Sequence, residues 1–385
     1  MDLLISAGEA SGDLHGARLL RALRKRRPDI TAFGMGGRRL EAEGLSPILR
    51  SEALSVVGIF EVVEKLPALF RALGVLKKEA RRRMPDAAVL IDFPDFHGLL
   101  ARRLHREIPL FYYVSPQVWA WRSGRARVIA QRARRIITLF PFETKIYRSL
   151  GGNAVWAGHP LVDDVREGLE RPSPLPGKTR RRLILLPGSR RSEIERHWAP
   201  MAEAARRLAR RLDLEVIALR ASGLSEDLFE NAAGWGIRLV SEGVHAVLAT
   251  ADLALVASGT ATLEAALCGT PMIVLYRTSS ASFGVGRLLV RIPWISLVNI
   301  VAQEEVVPEL LQKEVSADRL EAEAEALLLS PERLRRMRDG LARVALALGP
   351  SGGSQRAADA VLEALEGPAF PDNSRLSTLD SRLLP

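Results

Sequence analysis

Short apolar runs alternate with longer amphipathic stretches along this chain, and that alternation, broken once and then restarted, constrains the fold more than any other feature. Leu3–Ala7, Ala32–Gly34, Ala87–Asp92 and Leu110–Val114 have the length and composition of buried strands, while Asp13–Arg26 and Gly98–Glu107 repeat apolar residues at helical spacing. Apolar strands interleaved with helices are the mark of βαβ units, whose parallel strands lie covered on both faces. Residues 167–181 interrupt the pattern with Pro172, Pro174, Pro176 and Gly177 among basic side chains, the composition of an exposed linker. The pattern then resumes. Strands are expected at Arg182–Leu186, Leu214–Leu219, Ile237–Val240, Leu253–Ala257 and Met272–Tyr276, helices at Ser192–Leu212 and Thr260–Cys268, and helical spacing runs from Ala317 to Leu365. A chain of 385 residues has the length for two cores. The expected architecture is α/β, with two Rossmann-like domains facing each other across a cleft. The first covers residues 1–166 and is completed by C-terminal helices at 345–366; the second covers 182–344; residues 367–385 are expected to be a disordered tail.

Composition then narrows the function. With 47% hydrophobic and 26% charged residues the balance is that of a soluble globular protein. The opening residues Met1–Gly8 carry no basic leader, so neither a signal nor a transit peptide is expected. The most apolar region, Leu253–Tyr276, is broken by Gly259, Glu264 and Gly269 and falls short of the roughly 18 continuous apolar residues of a membrane span. Cys268 is the only cysteine, which leaves no intramolecular disulfide, thiolate zinc site or redox pair and fits a reducing cytoplasm. The formal net charge of +10 attracts something anionic, whether nucleic acid, acidic lipid or a phosphorylated substrate. No nucleic-acid-binding motif accompanies it and aromatic residues are few, so no nucleic-acid partner is expected, although a basic nucleic-acid binder stands as a rival reading. Val56, Ile59, Phe60, Val63, Leu66, Phe70 and Leu73 recur at helical spacing beside Lys65, Arg71, Lys77, Lys78, Arg81, Arg82 and Arg83. This reads either as an interfacial helix on anionic lipid or as one more core-packed helix.

Ligands of open α/β sheets bind beyond the carboxyl ends of the strands, where turns entering the next helices present unpaired backbone N–H groups. Three glycine-containing turns stand at such places. In the first, Gly8–Gly16, the glycines fall every fourth residue rather than as G-x-G-x-x-G, which disfavours a nicotinamide enzyme. Glu9, Ser11, Asp13 and His15 put polar groups there for a substrate, unless Ser11 and Asp13 serve only as caps. The second, Pro187-Gly188-Ser189-Arg190, combines backbone donors, a hydroxyl and a guanidinium fork, as a diphosphate requires, and Ser192-Glu193-Ile194-Glu195 follows with capping-box spacing. The third, Ser258-Gly259-Thr260-Ala261, offers further backbone donors, and Glu264 one turn on is suited to vicinal ribose hydroxyls. Both phosphate-type turns lie in the second domain, so a nucleotide is expected there. No D-x-D run or metal site is present, and no cofactor is expected.

Eight segments, in order along nearly the whole chain, carry a resemblance. They are Ala7-Gly8-Glu9-Ala10-Ser11-Gly12-Asp13, Ile91-Asp92-Phe93-Pro94-Asp95-Phe96, Tyr113-Val114-Ser115-Pro116-Gln117-Val118-Trp119-Ala120-Trp121-Arg122, Phe140-Pro141-Phe142-Glu143, Gly158-His159-Pro160, Leu186-Pro187-Gly188-Ser189-Arg190, Ser258-Gly259-Thr260-Ala261 and Ser296-Leu297-Val298-Asn299. Together they resemble the bacterial lipid-A-disaccharide synthase family, family 19 glycosyltransferases of the GT-B fold. The resemblance implies transfer of an acylated glucosamine from its UDP derivative to the 6-hydroxyl of 2,3-diacylglucosamine 1-phosphate, with inversion and without a metal. His97 and Gln117 depart from the family pattern, standing where Asn and Ser are usual.

Inverting transfer needs a base for the acceptor hydroxyl and stabilisation of departing UDP. Asp92, at the end of its strand and within a resembling segment, is the preferred base, unless it serves mainly to orient substrate or to cap the Pro94 turn; Asp95, Glu9 and His15 are competitors. Arg190 and the helix N-termini after Gly188 and Gly259 are expected to neutralise the diphosphate, with Glu264 on ribose and Asn299 and Gln312 completing the nucleotide pocket. Trp119 and Trp121 either shape the acceptor site or belong to the core. The acyl chains imply peripheral association with the anionic cytoplasmic face of the inner membrane, and a homodimer is left open. A UDP-N-acetylglucosamine 2-epimerase-like enzyme is the second enzymatic reading.

Overall fold

The computed structural model describes residues 1–51, 59–115, 124–278 and 293–367. Gln117, Trp119, Trp121, the first residues of the expected interfacial helix and nearly all of the expected tail lie outside the described residues. The chain divides into two compact units, one formed by Met1–Pro160 with Gly352 onward, the other by Leu161–Ser351.

The first unit is built on seven strands, β1 (Asp2–Ala7), β2 (Thr31–Gly36), β3 (Leu45–Arg50), β4 (Ala87–Ile91), β5 (Leu110–Tyr113), β6 (Arg135–Thr138) and β7 (Ala154–Trp156). They lie in the order β3-β2-β1-β4-β5-β6-β7, every pairing parallel. A parallel sheet with helices on its faces buries its central strands on both sides, and Ala87-Ala88-Val89-Leu90-Ile91 is accordingly all apolar and wholly buried. The chain fills one side of β1 first and then crosses to β4. The order therefore reverses between β1 and β4, and this is where such sheets open a crevice beyond their strand ends.

The second unit repeats the scheme with β8 (Arg181–Leu186), β9 (Leu214–Leu219), β10 (Ile237–Val240), β11 (Leu253–Ala257), β12 (Met272–Tyr276) and β13 (Glu309–Leu311). Its order is β10-β9-β8-β11-β12-β13, again parallel throughout, with the reversal between β8 and β11. The turns singled out in the sequence follow β1, β8 and β11, and Asp92 follows β4. All four therefore lie at a reversal point.

The boundaries between the units fall away from those expected. Residues 167–169 close the helix Leu161–Leu169, which packs on the helices Val244–Leu248 and Thr260–Leu267 and so belongs to the second unit. The proline-rich segment beyond it is tied down by Arg182, which is 1% exposed and donates to Pro176 O and to Glu215 (both 2.7 Å). The C-terminal helical pattern resolves into Ala317–Leu328, Pro331–Leu348 and Gly353–Glu366, started by Ser330-Pro331 and by the Gly349–Gly352 turn. No break occurs at residue 344, because the helix Pro331–Leu348 runs through it, packing on Thr260–Leu267 and Leu297–Ala302. Only Gly353–Glu366 returns to the first unit, where Ala357, Ala358 and Val361 are buried as it packs against the helix Ala10–Arg26.

Candidate active site

At the β1/β4 reversal point the backbone is strained. Asp92 and Phe93 adopt φ of +54° and +50°, left-handed conformations that cost a non-glycine residue on the order of 1–3 kcal/mol each and persist only where the surroundings enforce them. The enforcement is visible in the contacts. The Phe93 ring stacks on Phe96 (5.2 Å) and fills the space over Gly8, where a Cβ would lie 2.2 Å from its Cδ1. The His97 N–H donates to Phe93 O (3.0 Å), while the His97 ring reaches back to Asp92 O (2.6 Å) and across to Ser6 Oγ in β1 (2.8 Å). The carbonyl can only accept, so Nδ1 carries the proton and Nε2 accepts from the Ser6 hydroxyl. Burial lowers the His97 pKa to about 4 and keeps the ring neutral.

Turned out of β4 in this way, the half-buried Asp92 carboxyl has its pKa raised from 3.8 to about 6, by desolvation first and by the nearby Glu9 carboxylate second. Glu9 is exposed at the N-terminus of the helix Ala10–Arg26, and its side chain makes no capping bond. Paired carboxyls with one pKa lifted close to neutrality form a proton-accepting site that still ionises at physiological pH. Ser11 is exposed in the first turn of the same helix. His15 lies one turn further in, edge-on to Tyr113 and to His159 (6.3 Å each), its Nδ1 buried without a partner among the described residues. Burial, with help from Arg18, lowers the His15 pKa to about 4, which makes it a poor base at neutral pH.

Two expectations for this unit are corrected. Asp13 does not face a substrate. Its carboxylate is buried and accepts from the N–H groups of Gly37 (2.7 Å), Arg39 (3.1 Å) and Leu40 (3.1 Å), capping the short helix Arg38–Ala42 from a distance in sequence that no local pattern reveals. Asp95, a competitor for the base, has a side chain 71% exposed and paired with Arg125. It leaves the strand end to Asp92.

In the second unit the turn after β8 is already closed on itself. Glu193 accepts from the N–H groups of Ser189 (2.8 Å) and Arg190 (3.3 Å) and from Arg190 Nη1 (3.0 Å), so a carboxylate occupies the position expected for phosphate oxygens. Gly188, at φ +130°, lets the turn fold over Glu193, since a Cβ there would lie 2.5 Å from the Glu193 Cβ. Arg190 itself is 64% exposed, and a surface pair of this kind is held only weakly. His197, unremarked in the sequence, ties this turn to β12. Its Nδ1–H donates to Pro187 O (2.9 Å) and its Nε2 accepts from Arg277 N–H (3.1 Å).

The turn after β11 is open. Gly259, at φ +154° with free space around it, begins the helix Thr260–Leu267 with no side chain capping it, so the Thr260 and Ala261 end is available to an anion. Ser258 instead donates to Ile295 O (3.4 Å). Glu264, its side chain 25% exposed, lies 3.4 Å from His245 Nε2. Gln312, at φ +51°, accepts from Thr278 N–H (3.1 Å), while its Nε2 has no partner among the described residues. It lines a cavity of about 510 Å³ together with Pro200, Glu203, Arg277 and Lys313. Asn299 is a correction. It is fully buried, donates to Val307 O (2.9 Å) and Glu309 (2.8 Å) and accepts from the Val306 and Val307 N–H groups (2.8 and 3.0 Å). Every polar atom of that amide folds its own loop, which leaves nothing for a nucleotide.

This geometry can be set beside known proteins. The family model described as lipid-A-disaccharide synthetase matches residues 3–361. The chain belongs to this family. Lipid-A-disaccharide synthase of Myxococcus xanthus is 41% identical over 379 residues, covering 94% of this chain and 97% of the relative. That of Geobacter sulfurreducens is 40% identical over 374 residues, with the same coverage of 94% and 97%. The lipid-A-disaccharide synthase family places the chain among the glycosyltransferases of lipid A biosynthesis. Solved structures agree on the GT-B architecture. A calicheamicin glycosyltransferase superposes with a TM-score of 0.64 at 15% identity, covering 96% of this chain and 99% of that one. A UDP-N-acetylglucosamine 2-epimerase from Neisseria meningitidis gives 0.61 at 12% identity, covering 95% and 99%. At such identities the epimerase likeness is one of fold alone. Among the described residues no helix is long and apolar enough to cross a membrane.

Proposed function

We propose that the chain joins UDP-2,3-diacylglucosamine to 2,3-diacylglucosamine 1-phosphate, giving lipid A disaccharide 1-phosphate and UDP with inversion at the anomeric carbon. The observation that carries the reading is Asp92: a half-buried carboxyl, backbone-strained at a strand-order reversal, beside Glu9 and with a pKa of about 6. Asp92 takes the proton from the 6-hydroxyl as that oxygen attacks, and Glu9 keeps its proton affinity high. Ser11 and His15 line the acceptor side. Charge on the departing UDP is met by the uncapped Gly259-Thr260-Ala261 helix end and by Arg190, which exchanges its exposed pair with Glu193 for the diphosphate. Glu264 accepts from the ribose hydroxyls, and the Gln312 amide completes the nucleotide site from its cavity.

The acceptor is a lipid, and the first unit carries a surface suited to one. On the helix Ile59–Arg83, Phe70 is 55% and Val75 40% exposed, and Arg71, Lys78, Arg81 and Arg82 are exposed along the same helix, Arg81 paired with Glu107 and Arg82 with Glu79, although Leu73 and Leu76 face the core. Apolar side chains framed by cations favour the anionic inner-membrane surface. One experiment tests both readings: supply the two lipid substrates in anionic vesicles without added metal, follow disaccharide and UDP, and sediment the vesicles. Disaccharide forming in step with UDP, with protein in the pellet, is expected. UDP release without the acceptor contradicts the reaction, and full recovery of protein in the supernatant contradicts the membrane association.

A further inference from the structure

We propose that His97 is a positioning residue for the transfer: by bridging the Asp92 carbonyl and the Ser6 hydroxyl it holds the end of β4 in the left-handed turn that presents the Asp92 carboxylate beside Glu9. The proposal rests on the reading of Asp92 as the base. His97 grips both strained residues, its ring nitrogen donating to Asp92 O at 2.6 Å and its backbone N–H donating to Phe93 O at 3.0 Å. The other ring nitrogen is anchored 2.8 Å away on Ser6, which lies in β1, so the ring spans the two strands whose ends carry Glu9 and Asp92.

The ring has no freedom to do otherwise. His97 is fully buried and meets Phe93 (5.9 Å), Phe96 (5.7 Å) and Tyr112 (6.4 Å) edge-on. Among the described residues, the ionisable side chains that flank it belong to Asp92, whose carbonyl the ring bonds, and to Tyr112 on β5, whose hydroxyl burial keeps protonated. A neutral ring with one donor and one acceptor satisfies both anchors at once. A hydrophobic replacement fills the space but releases the Asp92 carbonyl, and the peptide is then free to leave the left-handed region. An asparagine keeps an amide donor on the same helix turn, within reach of that carbonyl.

The test compares His97→Leu, His97→Asn, Ser6→Ala and Asp92→Asn in steady-state disaccharide formation over a range of pH. His97→Leu is expected to lose about 10²-fold in kcat with KM nearly unchanged, the scale of effect that follows misplacement of a reacting group by about 1 Å. Its acid limb of kcat/KM should move as Asp92 shifts relative to Glu9. His97→Asn should recover most of the loss. A folded His97→Leu with parental kcat and pH profile overturns the proposal. Should His97→Leu fail to fold, Ser6→Ala decides: lowered kcat with an unchanged KM supports the bridge, and parental kcat overturns it. Parental turnover by Asp92→Asn removes the base assignment and the proposal with it, whereas loss in Asp92→Asn beside parental His97→Leu removes the positioning role alone.

Discussion

Asp92→Asn is expected to lose about 10²–10⁴-fold in turnover, the usual contribution of a general base, and at the same time to gain stability. The two effects share one cause. Asp92 has a folded pKa of about 6 against an ordinary 3.8, so its proton is held more tightly in the native chain than in the unfolded one. Stability from this group is fully present below pH 3.8 and is lost as pH rises through 6, where the folded protein must carry a desolvated charge next to Glu9. A shift of that size corresponds to roughly 3 kcal/mol at the upper bound. The isosteric amide carries no charge and tolerates the left-handed backbone, so the variant should be more stable than the parent by about 1–3 kcal/mol at pH 8, with the gain shrinking towards pH 5. Thermal unfolding of both proteins at the two pH values measures it. Equal melting temperatures at pH 8 contradict the strained-carboxyl account, whatever the activity shows.

The second large effect is acid lability concentrated in the first unit. Four of the chain's six histidines are held neutral by burial: His15 and His97 with pKa values lowered to about 4, His159 to about 3, and His197 lowered as well. The unfolded chain takes up protons at these sites near pH 6.5 while the folded chain does not. Their contribution is therefore present above pH 6.5 and is lost as pH falls towards the folded values. Between pH 7 and 5 each of the first three costs about 2 kcal/mol, and Asp92, with the opposite sign, returns about 1 kcal/mol. The net loss of about 5 kcal/mol falls on the first unit, a large part of an ordinary domain's stability. Differential scanning calorimetry is expected to show that unit's transition dropping by on the order of 10 °C between pH 7 and 5, while the second unit, with His197 alone among the four, moves far less. A profile shifting uniformly, or not at all, contradicts the burial of these rings.

The central strands were legible because a parallel sheet covered on both faces demands long apolar runs: β4 and β11 are apolar throughout, and β1, β8 and β9 each keep at least three consecutive apolar residues. The strands that went unread lie beside or at the sheet edges: β6, β7 and β13 are short and carry Arg135, Trp156 or Glu309, while β3 is six residues long but is interrupted by Ser46 and Pro47. The site divides in the same way. The positions of Asp92, Glu9 and the Gly259 turn at strand ends were legible, because an apolar run that gives way to polar or glycine-containing residues marks where a buried parallel strand stops. Asp13 and Asn299 misled because a carboxylate or amide near such a turn looks the same in sequence whether it faces a ligand or caps a backbone folded against it from elsewhere. For Arg190 the turn was legible but its engagement by Glu193 was not, although Glu193 stood in capping-box spacing. His97 and His197 carry no motif. Their signal was a histidine on the buried face of a helix, among Phe96, Leu100 and Leu104 for His97 and among Ile194, Trp198 and Met201 for His197. Such a ring must find two partners inside the fold.

The central claim is that Asp92 takes the acceptor's proton. Its most direct test is the pH dependence of kcat/KM for disaccharide formation, measured where circular dichroism shows the chain folded. One ionisation with a midpoint near pH 6, absent from the residual activity of Asp92→Asn, is the predicted result. A parent profile flat between pH 5 and 8, or the same limb persisting in Asp92→Asn, would place the base on another residue.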